Sequence, residues 1–383
     1  MKCKLSDICS FRKGKVEVEN LNAKNYISTE NMLPNKCGIT EASSLPTVSL
    51  TQEYNSGDVL VSNIRPYFKK IWQAEYDGGC SNDVLVFVPK PNTDKDFLYY
   101  VLADDDFFTY SMATSKGTKM PRGDKTSIMQ YEVPLIDLQV QKKIASVLKA
   151  LDERIKLNNE INNNLEQQIS ALFINMFGFN IDNLVENKFS LGDLVESVDN
   201  RGKTPPLSDK PTSYPIIDVK ALSGDIRIVD YNNCTKYVDE ETYNNWFRSG
   251  HPKQYDILIS TVGSLAEMKI FLGDIGCIAQ NVVGFRSKGV SPLYLYQYLN
   301  YIKSDLVAYN IGSVQPSIKV THIIKHPIYV APQDELDKFD SVARSITEKI
   351  FANCQENEDL KLLRDTLLPK LMSGELDVSD IDI

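Results

Sequence analysis

The stretch "IASVLKALDERIKLNNEINNNLEQQISALF" (144–173) decides the architecture. With Ile144 at a heptad a position, the a series is Ile144, Leu151, Asn158, Leu165 and Leu172. The d series is Leu148, Ile155, Asn162, Ile169 and Met176. This is a sustained coiled-coil seam with a polar middle. It predicts one long helix over about 138–177. The same seam recurs 195 residues later. There the a series is Phe339, Ile346, Asn353, Leu360 and Leu367, and the d series is Ala343, Ile350, Asn357, Arg364 and Leu371. Both helices carry Asn at the same two central positions. An Asn in a seam costs stability and fixes register, because its amide needs a partner that a slipped pairing does not supply. The two helices are therefore expected to pair with each other. An antiparallel arrangement at a constant index sum of 515 sets Asn158 against Asn357 and Asn162 against Asn353. Parallel pairing aligns the Asn residues too, but it would send the chain back along the whole coil, whereas antiparallel helices need short connections.

Outside the helices the chain also repeats. "GDVLVSNIRPYFKKIW" (57–72) and "YDILISTVGSLAEMKIF" (255–271) open alike, with Asp58 falling on Asp256 at an offset of 198. The same offset carries Val84 and Phe87 onto Val282 and Phe285. "KLSDI" (4–8) echoes "SLGDL" (190–194), and "DFLYYVL" (96–102) resembles "YLYQYL" (294–299). "GTKMPRGDKTSIMQYEVPL" (117–135) resembles "GSVQPSIKVTHIIKHPIYV" (312–330), each with a Gly, a Pro four residues on, and then a hydrophobic strand. Short alternating runs such as "DVLVSNI", "DVLVFVP" and "DILISTV" read as half-buried strands broken by Gly, Pro and Asn. The expected fold is α+β: two mixed α/β domains separated by a long antiparallel two-helix coiled coil, an internal duplication with pseudo-twofold symmetry. The expected boundaries are 1–137, a helix at 138–177, 178–333 including a linker at 178–187, a second helix at 334–373, and an acidic tail at 374–383. Two like domains on a helical spacer suit reading two separated patches of one long object, and B-DNA is the natural candidate.

At 383 residues the chain is long enough for two such cores. No stretch approaches the length of an apolar membrane span, so no membrane partner is expected. The N-terminus has no apolar targeting segment and reads as mature protein. Seven dispersed cysteines without a CxxC pair suggest reduced thiols and a cytoplasmic setting. The net charge of −9 is unusual for a nucleic-acid binder, but the charge is uneven. "RPYFKK" (65–70) and "SKGTKMPRGDK" (115–125) are locally basic, whereas "ADDD" (103–106) is acidic.

In this setting the chain resembles the specificity (S) subunit of type I restriction–modification systems. The resemblance covers nearly the whole sequence. It is carried by "VPLIDLQVQKKIASVLKALDERIKLNNEINNNLEQQISALF" (133–173), "GDVLVSNIRPYFKK" (57–70), "YDILISTVG" (255–263), "RGKTPP" (201–206) and "LLPKLMSGELDV" (367–378). It implies that each mixed domain is a target recognition domain for half of a split sequence in double-stranded DNA. It implies that the helices set the gap and dock two methyltransferase subunits, with endonuclease–translocase subunits joining for cleavage. Two features depart from the pattern: the diverged second helix start "APQDELDKFDSVARSI", and Arg364 in the second seam.

Enzymatic equipment is sparse in the sequence itself. There is no NPPY-type methyltransferase motif, no Gly-rich loop after a strand for S-adenosylmethionine, and no GxxxxGK phosphate cradle. S-adenosylmethionine, ATP and magnesium are expected on partner subunits alone. His322 and His326 lie in a segment that reads as strand, so no metal site is expected there. Asp104–Asp106 reads as a solvated acidic loop, and Asp58 and Asp256 as turn or cap residues. The alternatives are an assembly scaffold, an orphan S subunit without an active endonuclease partner, or a small nuclease on a duplicated scaffold.

Base readout needs paired donors and acceptors, and phosphate contact needs cations or small donors. In the first domain Asn63, Arg65, Tyr67, Lys69 and Lys70 surround a Pro turn, with Arg65 suited to guanine. The glycine-rich loop adds Lys116, Lys119 and Arg122. In the second domain the candidates are Arg201, Lys203, Thr204, Ser260, Thr261, Ser264, Gln280, Asn281, Ser313, Gln315, Ser317 and Lys319. The first face reads as cationic and the second as rich in amides and hydroxyls, which predicts an asymmetric target. With few cations per domain, the isolated chain is expected to bind DNA weakly and with strong salt dependence.

Overall fold

The strands are where the repeat becomes structure. In the computed structural model, which describes residues 2–183, 189–202 and 204–378, the chain divides into two units. The first is Met1–Ile155 with Glu358–Ile383, and the second is Lys156–Asn357. Each long helix contributes residues to both.

The first unit centres on an antiparallel sheet of β1 (Cys9–Phe11), β2 (Val59–Ser62), β3 (Ile71–Gln73) and β4 (Val84–Pro89), in the order β1-β4-β2-β3. The second unit builds the same sheet from β5 (Val195–Val198), β6 (Ile257–Ser260), β7 (Met268–Ile270) and β8 (Val282–Ser287), in the order β5-β8-β6-β7. Register matches too. Val59 pairs with Phe87 and Ser62 with Val84, while Ile257 pairs with Phe285 and Ser260 with Val282. A short parallel pair recurs beside each sheet, Tyr26–Ile27 with Gly78–Cys80 and Tyr214–Ile217 with Cys277–Ile278.

The central strands are buried on both faces, not half-buried as their alternation suggests. Val59, Val61, Leu85 and Phe87 feed one apolar cluster with Leu98 and Phe107. Their neighbours Leu60, Val84 and Val86 feed another with Ile27 and Tyr54. In the second unit Ile257, Ile259, Val283 and Phe285 face one cluster, and Leu258 and Val282 another with Ile217 and Leu222. A sheet with a core on each face needs consecutive apolar residues, which Val59–Val61, Val84–Val88 and Ile257–Ile259 supply.

The two "LSDI"-like segments form matching helical turns. Asp7 accepts from the N–H of Lys4 at 2.8 Å, and Asp193 accepts from the N–H of Ser190 at 2.8 Å, so in each turn an Asp reaches back to the N–H three residues before it. The segment around His322 is not the strand expected. Val320–Ile323 is a helical turn, and only Pro327–Ile328 pairs as strand, with Phe189–Ser190. Val320 and Ile323, three apart, are both buried, a helical and not a strand spacing. His326 Nδ1 contacts the Tyr309 hydroxyl at 2.9 Å.

Helix α1 (Leu138–Phe173) continues through a widened π turn at Ile174–Gly178 and a last turn at Phe179–Asp182. Phe173 precedes that turn and Phe177 lies within it, and both pack on Tyr294 (5.6 and 5.1 Å between ring centres) and on Phe339 (both 5.6 Å). Helix α2 spans Gln333–Ser373. The helices run antiparallel. In the second unit Asn158 Nδ2 donates to Asn357 Oδ1 at 3.0 Å, and Asn353 Nδ2 donates to Asn162 Oδ1 at 2.7 Å. In the first unit Ile144, Leu148 and Leu371 share one cluster. Arg364, the odd residue of the seam, donates to Asp152 at 2.7 Å, and Asp152 also accepts from the Tyr100 hydroxyl at 2.7 Å. It is thus a paired seam residue and not a gap.

Candidate nucleic-acid interface

In the first unit β2 ends at Ser62 and the chain turns through Asn63–Lys70. Arg65 and Lys69 both hold left-handed backbone (φ 50° and 49°) around the turn at Pro66–Phe68. The loop 116–123 is stitched onto this turn. Arg65 N–H donates to Pro121 O at 2.8 Å, Gly123 N–H donates to Asn63 O at 3.1 Å, and Ile64 and Arg122 form a bridge. A side chain at Gly123 would meet Asn63 Oδ1 at 2.7 Å, so a larger residue there would push the Asn63 side chain aside. The two basic motifs therefore converge on one surface.

Their charges do not stand free. Lys69 reaches Asp105 at 2.6 Å and Lys36 reaches it at 2.9 Å. Lys116 pairs with Asp124 at 2.8 Å, and Arg122 with Asp83 at 3.1 Å. Lys70 donates to Thr29 O at 2.6 Å, and burial lowers its pKa. Burial acts to raise the Asp105 carboxyl, but hydrogen bonds from Lys69 and Lys36 prevail and lower it. Asp124 is pulled down to about 2, chiefly by Lys116. The cationic face read from sequence is, at rest, a face of exposed ion pairs. Solvent screens such pairs, so phosphates can replace the carboxylates on Lys69 and Lys116 at little cost. Tyr67 and Lys119 are exposed, while Asn63 and Arg65 are half-buried with Oδ1 and Nε unpartnered.

The second unit repeats the junction. Val262 and Ser317 form the bridge, Gly263 N–H donates to Pro316 O at 3.0 Å, and Ile318 N–H donates to Thr261 O at 2.9 Å. Ser264, Ser313, Gln315 and Lys319 are exposed beside it. Gln280 Nε2 donates to the exposed Thr204 hydroxyl at 2.8 Å, joining two of the expected segments. Arg201 is held by Asp199 at 2.6 Å. Lys203 lies outside the described residues. Ser260 and Thr261 must be withdrawn as readers. Both are fully buried, Ser260 Oγ donates to Ser264 O at 2.5 Å, and Thr261 Oγ1 donates to Asn281 O at 3.3 Å. Their hydroxyls serve the turn. Asn281 is half-buried with Oδ1 unpartnered.

Sequence reading missed Asp83 and Asp124, and it took Asp105 for part of a solvated loop, whereas Asp105 opens the helix Asp105–Ala113 and holds Lys36 and Lys69. One signal was available: Asp83 falls on the candidate Asn281 at the repeat offset of 198. It also missed the buried arginine of the second unit. Arg227, which is 0% exposed, donates to Glu166 at 2.7 Å and to Thr347 Oγ1 at 2.9 Å, and lies 5.5 Å above the Tyr296 ring. It ties the globular part of that unit to both helices, as Tyr100 and Arg364 do through Asp152 in the first. Among the described residues no three His, Cys, Asp or Glu side chains are grouped to hold a metal. No described helix is long and apolar enough to cross a membrane.

The family model for the type I restriction modification DNA specificity domain matches residues 1–167 and again 185–352. The chain belongs to this family. The double match is the duplication seen in the sheets. The MjaIX specificity subunit of Methanocaldococcus jannaschii is 25% identical over 77% of this chain and 72% of its own length. The HindI specificity subunit of Haemophilus influenzae is 24% identical over 92% and 94%. The crystal structure of a type I system S subunit from M. genitalium shares the fold, with a TM-score of 0.56, 16% identity, and coverage of 97% of this chain and 96% of that one. Specificity subunits of this family are non-catalytic, and catalysis lies in their partner subunits.

Proposed function

We propose that this specificity-family chain reads a bipartite, gapped, asymmetric sequence in double-stranded DNA and brings two methyltransferase subunits to it. Residues 1–137 and 178–333 act as the two target recognition domains. The helices at 138–177 and 334–373 act as spacer and docking platform. Endonuclease–translocase subunits join the same complex for cleavage, and S-adenosylmethionine, ATP and magnesium bind to the partners.

The observation that carries this reading is the repeated junction. One strand end and one Gly-x-x-x-Pro loop are stitched together in each unit, and the side chains they present differ. The first unit offers Asn63, Arg65, Tyr67, Lys69, Lys70, Lys116, Lys119 and Arg122. The second offers Arg201, Thr204, Ser264, Gln280, Asn281, Ser313, Gln315, Ser317 and Lys319. One scaffold with two surfaces fits two different half-sites. Resting ion pairs on the first surface fit weak binding by the lone chain, with partner subunits supplying most phosphate contacts.

The test is a map of modified bases in DNA from cells expressing the chain with its methyltransferase subunit, against cells lacking the chain. A split motif of fixed gap that depends on the chain is expected. A stable complex with no chain-dependent motif would make the protein an assembly scaffold.

A further inference from the structure

The ends of β2 and β6 are the same structural place in the two units. Asn63 N–H donates to Asp83 O at 2.8 Å, and Thr261 N–H donates to Asn281 O at 2.8 Å. Across the strand end, Arg122 bridges Ile64 and Ser317 bridges Val262. Asp83 therefore corresponds to Asn281, and Arg122 to Ser317. The first unit places a carboxylate and a guanidinium there, and the second an amide and a hydroxyl.

Arg122 is held from one side. Its Nη2 lies 3.1 and 3.2 Å from the two Asp83 oxygens, and its side chain is 56% exposed. Among the described residues nothing takes its Nε or Nη1. Arg65, its neighbour, has Nε buried and unpartnered, so less of its donor fork is open to a ligand. Lys69 and Lys116 are point charges, better matched to phosphate than to a base edge. Nη2 carries two hydrogens, so holding Asp83 with one leaves the other to form a planar fork with Nη1 or Nε, and such a fork matches the O6 and N7 acceptors of guanine. Prior anchoring also reduces the ordering cost on binding.

We infer that Arg122, oriented by Asp83, reads a guanine in the half-site of the first unit, and that the Asn281–Ser317 counterpart gives the second half-site no such contact. This rests on the DNA-reading function proposed above and assigns one base to one side chain.

The test maps modified bases with the full methyltransferase complex carrying the wild-type chain, Arg122→Ala, Arg122→Lys or Asp83→Asn. The wild-type motif should hold a guanine, on either strand, in the half set by the first unit. Arg122→Ala should relax that one position, its preference falling on the order of 10- to 100-fold, with the other positions kept. Asp83→Asn should relax the same position less. If Arg122→Ala fails to assemble, Arg122→Lys decides, because it keeps charge and stem but lacks the fork: a relaxed guanine supports the inference, and an unchanged motif overturns it. A wild-type motif without guanine in that half, or an even loss across all positions, overturns it while leaving the DNA-reading function standing. No chain-dependent motif in the wild type removes both.

Discussion

Asp58 sits buried at the mouth of β2 with the Arg12 guanidinium laid along it, Nη2 to Oδ1 at 2.9 Å. Asp256, its repeat counterpart, is buried in the same place but takes Arg286, Nη2 to Oδ2 at 2.8 Å. Each carboxylate also accepts the N–H three residues before it, from Asn55 and Lys253. The turn role read from sequence is present, and a buried ion pair is added to it. Arg12 follows β1 whereas Arg286 lies on β8, so the two copies neutralise one inherited charge from different strands.

Removing one partner of such a pair leaves a charge without compensation. Arg12→Met is expected to cost about 3 kcal/mol, the low end for a buried pair because Arg12 keeps some solvent contact. Arg12→Met with Asp58→Asn should recover much of that loss. Urea unfolding of the two variants and the wild type measures this, and equal losses in single and double variants would deny the pairing.

The Asn layer holds a deficit. Asn158 Oδ1 and Asn353 Oδ1 are buried with no partner. An unmet buried acceptor costs about 1–3 kcal/mol, and Asn162 and Asn357 accept from these same two residues, so replacing all four of Asn158, Asn162, Asn353 and Asn357 by Leu should raise the melting temperature. The same change removes the polar register mark and should let the chain spread over several oligomers in light scattering. A more stable variant that stays as uniform as the wild type would show that the Asn residues do not set register.

Thiol reactivity should divide by burial. Burial pushes Cys9, Cys80, Cys234 and Cys277 up to about 12, while Cys37 lies exposed. Brief alkylation near neutral pH followed by peptide mass analysis should label Cys37 and spare those four until denaturant is added. Early labelling of any of the four would contradict the packing described.

Falling pH should weaken the second unit through its histidines. Burial lowers His251 against a smaller upward pull from the Tyr243 carbonyl, and burial lowers His326 against Asp305. The unfolded chain then binds these protons first. Stability is therefore full above the ordinary value of 6.5 and declines as pH falls below it towards the lowered folded values. Thermal midpoints should drop between about pH 7.5 and 5.5, and His251→Gln with His326→Gln should flatten that drop. A flat wild-type profile would argue against neutral buried rings.

The coil was legible because a seven-residue period with two Asn positions, written twice, has few other readings. The sheets were legible as strands, but their double burial was not, because alternation along Val59–Ser62 does not say what covers the second face. That gap explains Ser260 and Thr261, hydroxyls that look available in sequence yet are fully buried and bonded to the backbone of Ser264 and Asn281. Arg12, Asp83 and Asp105 were silent because their partners lie 46, 39 and 36 residues away in sequence, a pairing that only the folded loops create. The buried Arg227 contradicts composition-based expectation altogether, and its partners Glu166 and Thr347 sit on the two helices.

The most direct measurement exchanges residues 1–137 for the matching segment of another specificity subunit and maps modified bases with the same methyltransferase partner. One half of the motif should change, with the gap and the other half kept. A motif in which both halves change, or neither does, would contradict the claim that each unit reads its own half-site.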